Sequence, residues 1–151
     1  MADTHSTEVR SKNMAAIQSK DTKPEIMIRR ALHSEGIRYG LHNKKLPGTP
    51  DLHFRKYNAV LFVNGCFWHK HDCPLFNMPQ SNIDYWKNKF KRNQNRDRQK
   101  INELKDAGKR ISIIWECALK GKHSLPLENV TEKMIIWLNS GKRFVEIEGN
   151  Y

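Results

Sequence analysis

Residues 65–73 have the sequence GCFWHKHDC, which places two thiols, two imidazoles and two large aromatic side chains in nine positions. A further cysteine, Cys117, follows the largely apolar run ISIIW at 111–115, a pattern that is typical of a buried strand. Thiolates together with an imidazole are the ligands that a tetrahedral structural zinc ion prefers. The predicted zinc ligands are Cys66, His71, Cys73 and Cys117.

Other interpretations of these residues remain open. The cysteines could be buried as small apolar residues, or Cys66 and Cys73 could form a disulfide. The odd number of cysteines and the polar, mixed-charge N-terminus, which has no secretory pattern, both argue against a disulfide framework. His69 is left over once the four ligands are assigned, although it could take the place of His71 at the metal.

The composition of the 151 residues is that of one ordinary globular domain, with 38% hydrophobic and 28% charged residues. The longest apolar runs are too short to cross a bilayer, so we expect a soluble, cytoplasmic protein without a membrane partner. The net charge is +11, from 27 Lys and Arg against 16 Asp and Glu. Such an excess favours a polyanionic partner, because each neutralised phosphate releases counterions.

Basic residues are concentrated within positions 87–100, where the acidic residue Asp97 interrupts them. They are Lys87, Lys89, Lys91, Arg92, Arg96, Arg98 and Lys100. A strip of this density is more than a solvated helix face usually carries and favours a nucleic acid as the partner. A basic soluble protein without such a partner is the alternative.

The order of periodic segments predicts an α/β fold with a central mixed β-sheet flanked by helices. A first helix begins at Thr22, with a capping box formed by Thr22 and Glu25, and is ended by Gly36. A long helix is predicted for residues 81–107, capped by Ser81 and Asp84, and another near 127–138. The predicted strands are residues 37–41, 51–54, 59–63, 110–115 and 144–147.

Three residues suggest hydrolysis of a phosphodiester. Asp51 ends the segment PGTPD at the mouth of a strand, where a carboxylate could hold Mg²⁺ against a phosphate, although a turn residue is the alternative. His69 could accept the proton of the attacking water. Asp97 lies within the apolar face of the long helix, where a carboxylate needs a partner unless it turns to the surface. We expect Asp97 to orient His69 and to stabilise its imidazolium form.

Four motifs closely resemble those of the very-short-patch repair (Vsr) DNA mismatch endonucleases. They are LPGTPD at 46–51, GCFWHKHDC at 65–73, NRDR at 95–98 and WECAL at 115–119. The resemblance covers roughly residues 8–138 and implies a restriction-endonuclease-like fold with a structural zinc site. It also implies an enzyme that makes a Mg²⁺-dependent single-strand nick on the 5′ side of the thymine in T:G mismatches, which arise when 5-methylcytosine deaminates.

The resemblance assigns catalytic roles residue by residue. Asp51 would bind Mg²⁺, His69 would activate the water, and Asp97 would orient His69. Glu25 matches an acid near the metal site, although its position in the capping box explains it equally well. The strand at 59–63 carries neither the second acid nor the lysine of typical restriction-type nucleases, and the Vsr family shares this departure.

The resemblance also implies contacts with DNA. Phe67, Trp68 and Trp86 match aromatic residues that wedge into DNA beside the mismatch, although core packing is the alternative, above all for Trp86. Met14 could insert from an N-terminal DNA-contacting arm over residues 1–20, which precedes a single endonuclease domain at 21–151. The predicted contacts to base edges or phosphates are Asn64, Lys89, Asn93 and Arg96. Asn64 stands where some relatives carry histidine.

The expected partner is double-stranded DNA with a T:G mismatch, bound by a monomer that acts at the nucleoid in the cytoplasm of a bacterium. A functional link to a cytosine-5 DNA methyltransferase and to a repair polymerase is expected from the same resemblance. Two other functions are compatible with the motifs. One is a related endonuclease with a different substrate, and the other is a zinc-stabilised nucleic-acid-binding module without catalysis.

Overall fold

The structure is a computed structural model and describes residues 21–151, which form five β-strands and four α-helices. The strands are β1 (Gly40–Leu41), β2 (Leu52–Phe54), β3 (Ala59–Asn64), β4 (Arg110–Trp115) and β5 (Phe144–Ile147). The helices are α1 (Lys23–Ser34), α2 (Ile83–Asp106), α3 (Glu116–Leu119) and α4 (Leu127–Leu138), and a 3₁₀ turn covers Arg55–Tyr57. The predicted N-terminal arm and Met14 lie outside the described residues.

The five strands form one mixed sheet in the order β1-β2-β3-β4-β5, which confirms the predicted α/β class. The pairs β1–β2 and β2–β3 are antiparallel, whereas β3–β4 and β4–β5 are parallel. In the parallel pair, Asn64 at the end of β3 lies opposite Trp115 at the end of β4. The segments that follow these two strands therefore leave the sheet side by side, and the start of β2 lies at the same edge.

The core lies on both faces of the sheet. Successive residues of β3 alternate between two apolar clusters, because neighbouring side chains of a strand point to opposite faces. Leu61 packs on the face covered by α1 and α4, with Ile28 and Met134, whereas Val60 packs with Leu104 of α2. Among residues 21–151, no helix is long and apolar enough to cross a membrane.

The start of α1 agrees with the sequence, but the start of α2 does not. The Thr22 hydroxyl accepts a hydrogen bond from the Glu25 amide at 3.4 Å, as the capping box predicts. The cap predicted for α2 from Ser81 and Asp84 is wrong. Asn82 occupies the cap position, and its side chain makes no cap hydrogen bond. Its φ is 54°, a left-handed conformation that asparagine tolerates better than most residues do.

The inward face of α2 begins one turn after the start of the helix. Trp86, Phe90 and Leu104 are buried, whereas the first residue, Ile83, is 44% exposed. The helix begins only at Ile83, so this side chain lies beyond the edge of the sheet core. The four-residue helix α3, directly after β4, was not predicted.

Arg110, at the start of β4, closes the end of α4. Its guanidinium donates hydrogen bonds to the carbonyls of Trp137 at 2.6 Å, Ser140 at 3.0 Å and Leu138 at 3.1 Å. It also lies 4.4 Å from the centroid of the Trp137 ring, a cation–π contact. Burial lowers the pKa of Arg110 from its ordinary value. The side chain therefore gives charged donors to the last carbonyls of α4 and to the Ser140 carbonyl that follows them.

We expect Arg110→Met to lower the free energy of unfolding by about 2–3 kcal/mol, because the carbonyls at the end of α4 lose charged donors. Chemical denaturation with urea measures the change. Arg143→Met is the matched control, since Arg143 is exposed and should tolerate the substitution. Equal stability of the two variants would contradict this role of Arg110.

Candidate active site and metal-binding cluster

An open groove of about 1790 Å³ lies where β3 and the start of β2 meet the face of α2. It brings together most of the residues that the sequence predicts to be functional. Those lining it are Glu25, Asp51, Asn64, Phe67, Trp68, His69, Lys89, Asn93, Arg96 and Asp97. Trp86 is not among them.

Asp51 lies directly before β2 and is held by the neighbouring strand. The amide of Val63 in β3 donates a hydrogen bond to Asp51 Oδ2 at 2.7 Å, because β2 and β3 are antiparallel. Burial raises the pKa of Asp51 from 3.8 to about 7, and the nearby charge of Glu25 acts in the same direction. A bound cation would favour the ionised carboxylate instead.

Glu25 is almost completely buried on α1, with 2% of its surface exposed. Its carboxylate accepts hydrogen bonds from Arg29 Nη1 at 2.6 Å and from the amide of Asp21 at 3.3 Å. The ring nitrogen Nε2 of His42 lies 3.0 Å and 3.1 Å from its two oxygens. Glu25 thus takes part in the helix start through its amide and lines the groove through its side chain.

His69 and Asp97 form a close pair. Nδ1 of His69 lies 2.5 Å from Oδ2 of Asp97 on α2. A carboxylate partner at Nδ1 favours the tautomer that has its proton there, which leaves a lone pair on Nε2. Within the part of the chain that the structure describes, Nε2 has no hydrogen-bond partner. The pair lines the same groove as Asp51, so the arrangement can accept a proton from a water bound there.

The thiols of Cys66, Cys73 and Cys117 and a ring nitrogen of His71 lie within 4.8 Å of one another. Nδ1 of His71 is 3.6 Å from both Cys66 Sγ and Cys117 Sγ, close to the edge of about 3.6 Å in a tetrahedral zinc site. All three cysteines are free. His71 rather than His69 completes the set, and three soft sulfur donors with one nitrogen fit zinc.

Burial raises the pKa of the Cys66 and Cys117 thiols above the ordinary value. A bound cation would offset this effect by stabilising the thiolates. Backbone donors already point at two of the sulfurs: the Cys117 amide at Cys66 Sγ, 3.3 Å, and the Gly149 amide at Cys117 Sγ, 3.2 Å. The cluster is therefore arranged for thiolate ligands.

The C-terminal segment supplies outer contacts to this cluster that sequence reasoning missed. Nε2 of His71 is 2.8 Å from Glu148 Oε2, a carboxylate–histidine contact that would orient His71 if it bound a metal. A Cβ at Gly149 would lie 2.6 Å from the carbonyl oxygen of Cys117, so this position has no room for a side chain. One face of the His71 ring stacks on the Trp115 ring, with 4.0 Å between the two ring centroids. No motif signals these contacts, since Glu148 and Gly149 follow the last strand as ordinary loop residues.

Phe67 is the centre of an aromatic cluster beside the groove. Its ring centroid is 5.0 Å from that of Trp68 and 5.3 Å from those of Trp86 and Phe90. Phe67 and Trp68 are half-buried and line the groove, whereas Trp86 is 8% exposed. In this structure Trp86 packs as a core residue behind Phe67. Asn93 of α2 also holds Trp68, because its side-chain amide donates a hydrogen bond to the backbone carbonyl of Trp68 at 3.0 Å.

Asp51→Asn should stabilise the chain in buffer without divalent cations. The folded-state pKa of about 7 lies above the ordinary 3.8, so the native state binds this proton more tightly than the unfolded state does. The free energy of unfolding then falls as the pH rises from about 4 to 7, and asparagine removes that loss. Thermal unfolding at pH 5 and pH 8 tests this, with Asp106→Asn as an exposed control. A gain in Tm that is no larger at pH 8 than at pH 5 would be inconsistent with the electrostatics of Asp51.

Comparison with known proteins matches the sequence of this chain to one family. A family model described as DNA mismatch endonuclease Vsr matches residues 2–75. The DNA mismatch endonuclease Vsr of Escherichia coli is 41% identical over 138 residues, 91% of this chain and 88% of that protein. The type II nicking enzyme V.XorIIP of Xanthomonas oryzae is 45% identical over 119 residues, 79% of this chain and 88% of the relative.

A similar match comes from Neisseria meningitidis, whose type II nicking enzyme V.NmeAIP is 41% identical over 122 residues, 81% of this chain and 87% of the relative. The alignments thus cover nearly all of the relatives as well as most of this chain. Together with the mixed sheet and the cysteine–histidine cluster, they show that the chain belongs to the Vsr family of DNA mismatch endonucleases.

Proposed function

We propose that this protein nicks one strand of duplex DNA on the 5′ side of the thymine in a T:G mismatch, with Mg²⁺ as the catalytic cation. The observation that carries the proposal is the His69–Asp97 pair, which lines the same groove as Asp51. Membership of a DNA mismatch endonuclease family, with relatives named as nicking enzymes, supports cleavage of a single strand.

The chemistry follows from these three residues. His69 takes a proton from the attacking water at Nε2 as the water oxygen bonds to phosphorus, and Asp97 stabilises the imidazolium that forms. The phosphorus–oxygen bond to the neighbouring nucleotide breaks, and the leaving oxygen takes a proton from solvent. Asp51, with Glu25 beside it, offers the hard oxygen ligands that fit Mg²⁺. The bound ion would supply positive charge to the phosphate during hydrolysis. A carboxylate with a raised pKa suits this role, because the cation replaces the proton that it otherwise holds.

Mismatch selection is assigned to the aromatic cluster. A wobble pair stacks less well than a matched pair, so inserting rings beside it costs less unstacking free energy. This difference in cost favours binding at the mismatch over a matched site. Phe67 and Trp68 are the rings that line the groove, and Trp86 supports Phe67 from behind. Met14 would insert from the predicted arm at residues 1–20. Lys89 and Asn93, four residues apart on α2, would reach base edges, and Asn64 and Arg96 would contact the backbone.

A structural role is proposed for zinc at Cys66, His71, Cys73 and Cys117. The ion would hold the segment between β3 and α2 against the end of β4, and this segment carries His69, Phe67 and Trp68. Zinc would therefore fix the base and the wedge without taking part in the reaction itself.

The biological setting follows from the substrate. T:G mismatches form when 5-methylcytosine deaminates, so we expect the protein to act as a monomer at the nucleoid, in the cytoplasm of a cell with a cytosine-5 DNA methyltransferase. A repair polymerase would then replace the nicked strand. A related endonuclease with another substrate, and a binding module without catalysis, are the competing functions.

A duplex with one T:G pair, labelled separately on each strand and incubated with Mg²⁺, distinguishes these three functions. We expect one nick, in the thymine strand, and none in the matched T:A duplex. Cleavage of both strands, or equal cleavage of the matched duplex, would favour the related endonuclease. Binding without cleavage would favour the module that lacks catalysis.

His69→Ala should lower the single-turnover nicking rate by about 10²–10⁴-fold, the usual contribution of a general base. Its affinity for the mismatched duplex should change little, because the basic face of α2 is intact. His33→Ala, an exposed histidine of α1 outside the groove, is the control. Near-normal nicking by His69→Ala would refute the assigned role.

Cys73→Ser should reduce bound zinc below one ion per chain and lower the Tm, because metal binding and folding are coupled. Unchanged zinc content and Tm in Cys73→Ser would argue against a structural zinc site.

Glu148→Gln should bind zinc but release it faster, since the glutamine is a weaker hydrogen-bond acceptor for His71. A colorimetric chelator measures the release rate, with Glu128→Gln on the exposed face of α4 as the control.

A further inference from the structure

His42 is a residue of the groove to which neither the motifs nor the family resemblance assigns a role. It follows β1 and lies between α1 and the start of β2. Its Nε2 atom is 3.0 Å from Glu25 Oε2, 3.1 Å from Glu25 Oε1 and 4.0 Å from Asp51 Oδ1. The side chain is 12% exposed, so the ring is largely enclosed between the two carboxylates.

The backbone of His42 is held in this place. Its amide donates a hydrogen bond to the carbonyl of Asp51 at 3.0 Å, next to the pairing of Leu41 with Leu52. Its φ of 46° lies in the left-handed region, which a residue with a Cβ adopts at a cost in energy. The surrounding contacts therefore fix the ring beside Asp51 although the local backbone conformation is unfavourable.

The spacing of the three side chains fits the coordination shell of a small divalent cation. Adjacent ligands of an octahedral ion, each at about 2.1 Å from the metal, are about 3.0 Å apart, and opposite ligands about 4.2 Å. The distances from His42 Nε2 to the oxygens of Glu25 and Asp51 span the same range. Arg29 donates to Glu25 Oε2 at 2.6 Å, whereas the donor to Glu25 Oε1 is the neutral amide of Asp21 at 3.3 Å.

The groove offers no better imidazole for this purpose. Of the described residues that line it, His42 and His69 carry imidazoles, and His69 is paired with Asp97. Asn64, the groove residue at the end of β3, has no ring nitrogen. Asp21 is also 4.0 Å from His42 Nε2, and Arg29 forms ion pairs with both Asp21 and Glu25. Asp21, Glu25 and His42 could themselves hold an ion, because one possible ligand atom of each lies within 4.8 Å of the others.

We infer that Nε2 of His42 is a direct ligand of the catalytic divalent cation, alongside Asp51 and Glu25. The inference rests on the proposed function, because it concerns the same metal. An imidazole ligand makes the site softer than a carboxylate-and-water site, so this protein accepts transition-metal ions more readily than carboxylates alone would. His42 is thus a determinant of metal preference.

Pulsed EPR of Mn²⁺ bound to the full-length, zinc-loaded protein tests the inference without measuring activity. We expect a ¹⁴N coupling to Mn²⁺ that changes to a ¹⁵N coupling when the histidines are ¹⁵N-labelled. His42→Gln should lose the coupling and bind Mn²⁺ roughly ten- to a hundredfold more weakly, at least the loss caused by removing an outer-shell partner. His33→Gln should retain both properties.

Absence of the histidine coupling in the unaltered protein, or its persistence in His42→Gln, would overturn the inference. Neither result depends on whether the variant nicks DNA. Mn²⁺ binding by Asp51→Asn distinguishes failure of the His42 inference from failure of the proposed metal site. If Mn²⁺ binding does not depend on Asp51, both the inference and the proposed metal site fail. If binding depends on Asp51 but no histidine is coordinated, only the inference fails.

Discussion

Three thiols and one imidazole bring the segment after β3 together with the segment after β4, and we propose that a cation bound at this junction fixes the geometry of the groove. The parallel register of β3 and β4 places the two segments next to each other at one edge of the sheet. Between β3 and α2 the chain runs through 18 residues, from 65 to 82, without regular structure. Such a long segment needs fixed attachment points if its side chains are to hold one position.

A metal ion bound at Cys66, His71 and Cys73 would supply those attachment points, and His69 lies in the short loop between these residues. A cation at the cluster would leave His69 free of metal and turned towards Asp97 of α2. Phe67 and Trp68 lie in the same loop and pack against α2 through Phe90 and Asn93. One junction therefore positions both the proposed base and the proposed wedge, which explains why structural and catalytic residues alternate along nine positions of the chain.

The groove combines charges of opposite sign in separate regions. Glu25 and Asp51 are acidic and largely buried, and Arg29 and His42 lie beside them. The face of α2 is basic and exposed, which suits phosphate contacts. Burial raises the pKa of Asp51, so the ionised carboxylate is disfavoured there, and a bound cation would offset this cost. Active sites commonly trade stability for function in this way.

Local patterns in the sequence predicted much of this arrangement. The bounds of β4, α4 and β5 agree with the apolar periodicity, and the metal cluster follows from ligand types that lie close together in the chain. Contacts that depend on tertiary position could not be predicted. Glu148 reaches His71 across 77 positions, and the His42–Glu25 contact spans 17 positions with no motif at His42. The prediction of the α2 cap was wrong for a local reason: Asn82, in a left-handed conformation, occupies the cap position that was expected for Ser81.

The zinc K-edge X-ray absorption spectrum of the full-length protein, as purified, identifies the ligands at this junction. We expect one zinc ion per chain, with three sulfur ligands at about 2.3 Å and one nitrogen ligand at about 2.0–2.1 Å. A second nitrogen in the shell would place His69 on the metal and remove it from catalysis. A folded, nicking-competent protein without zinc would contradict the claim that this junction holds the site together.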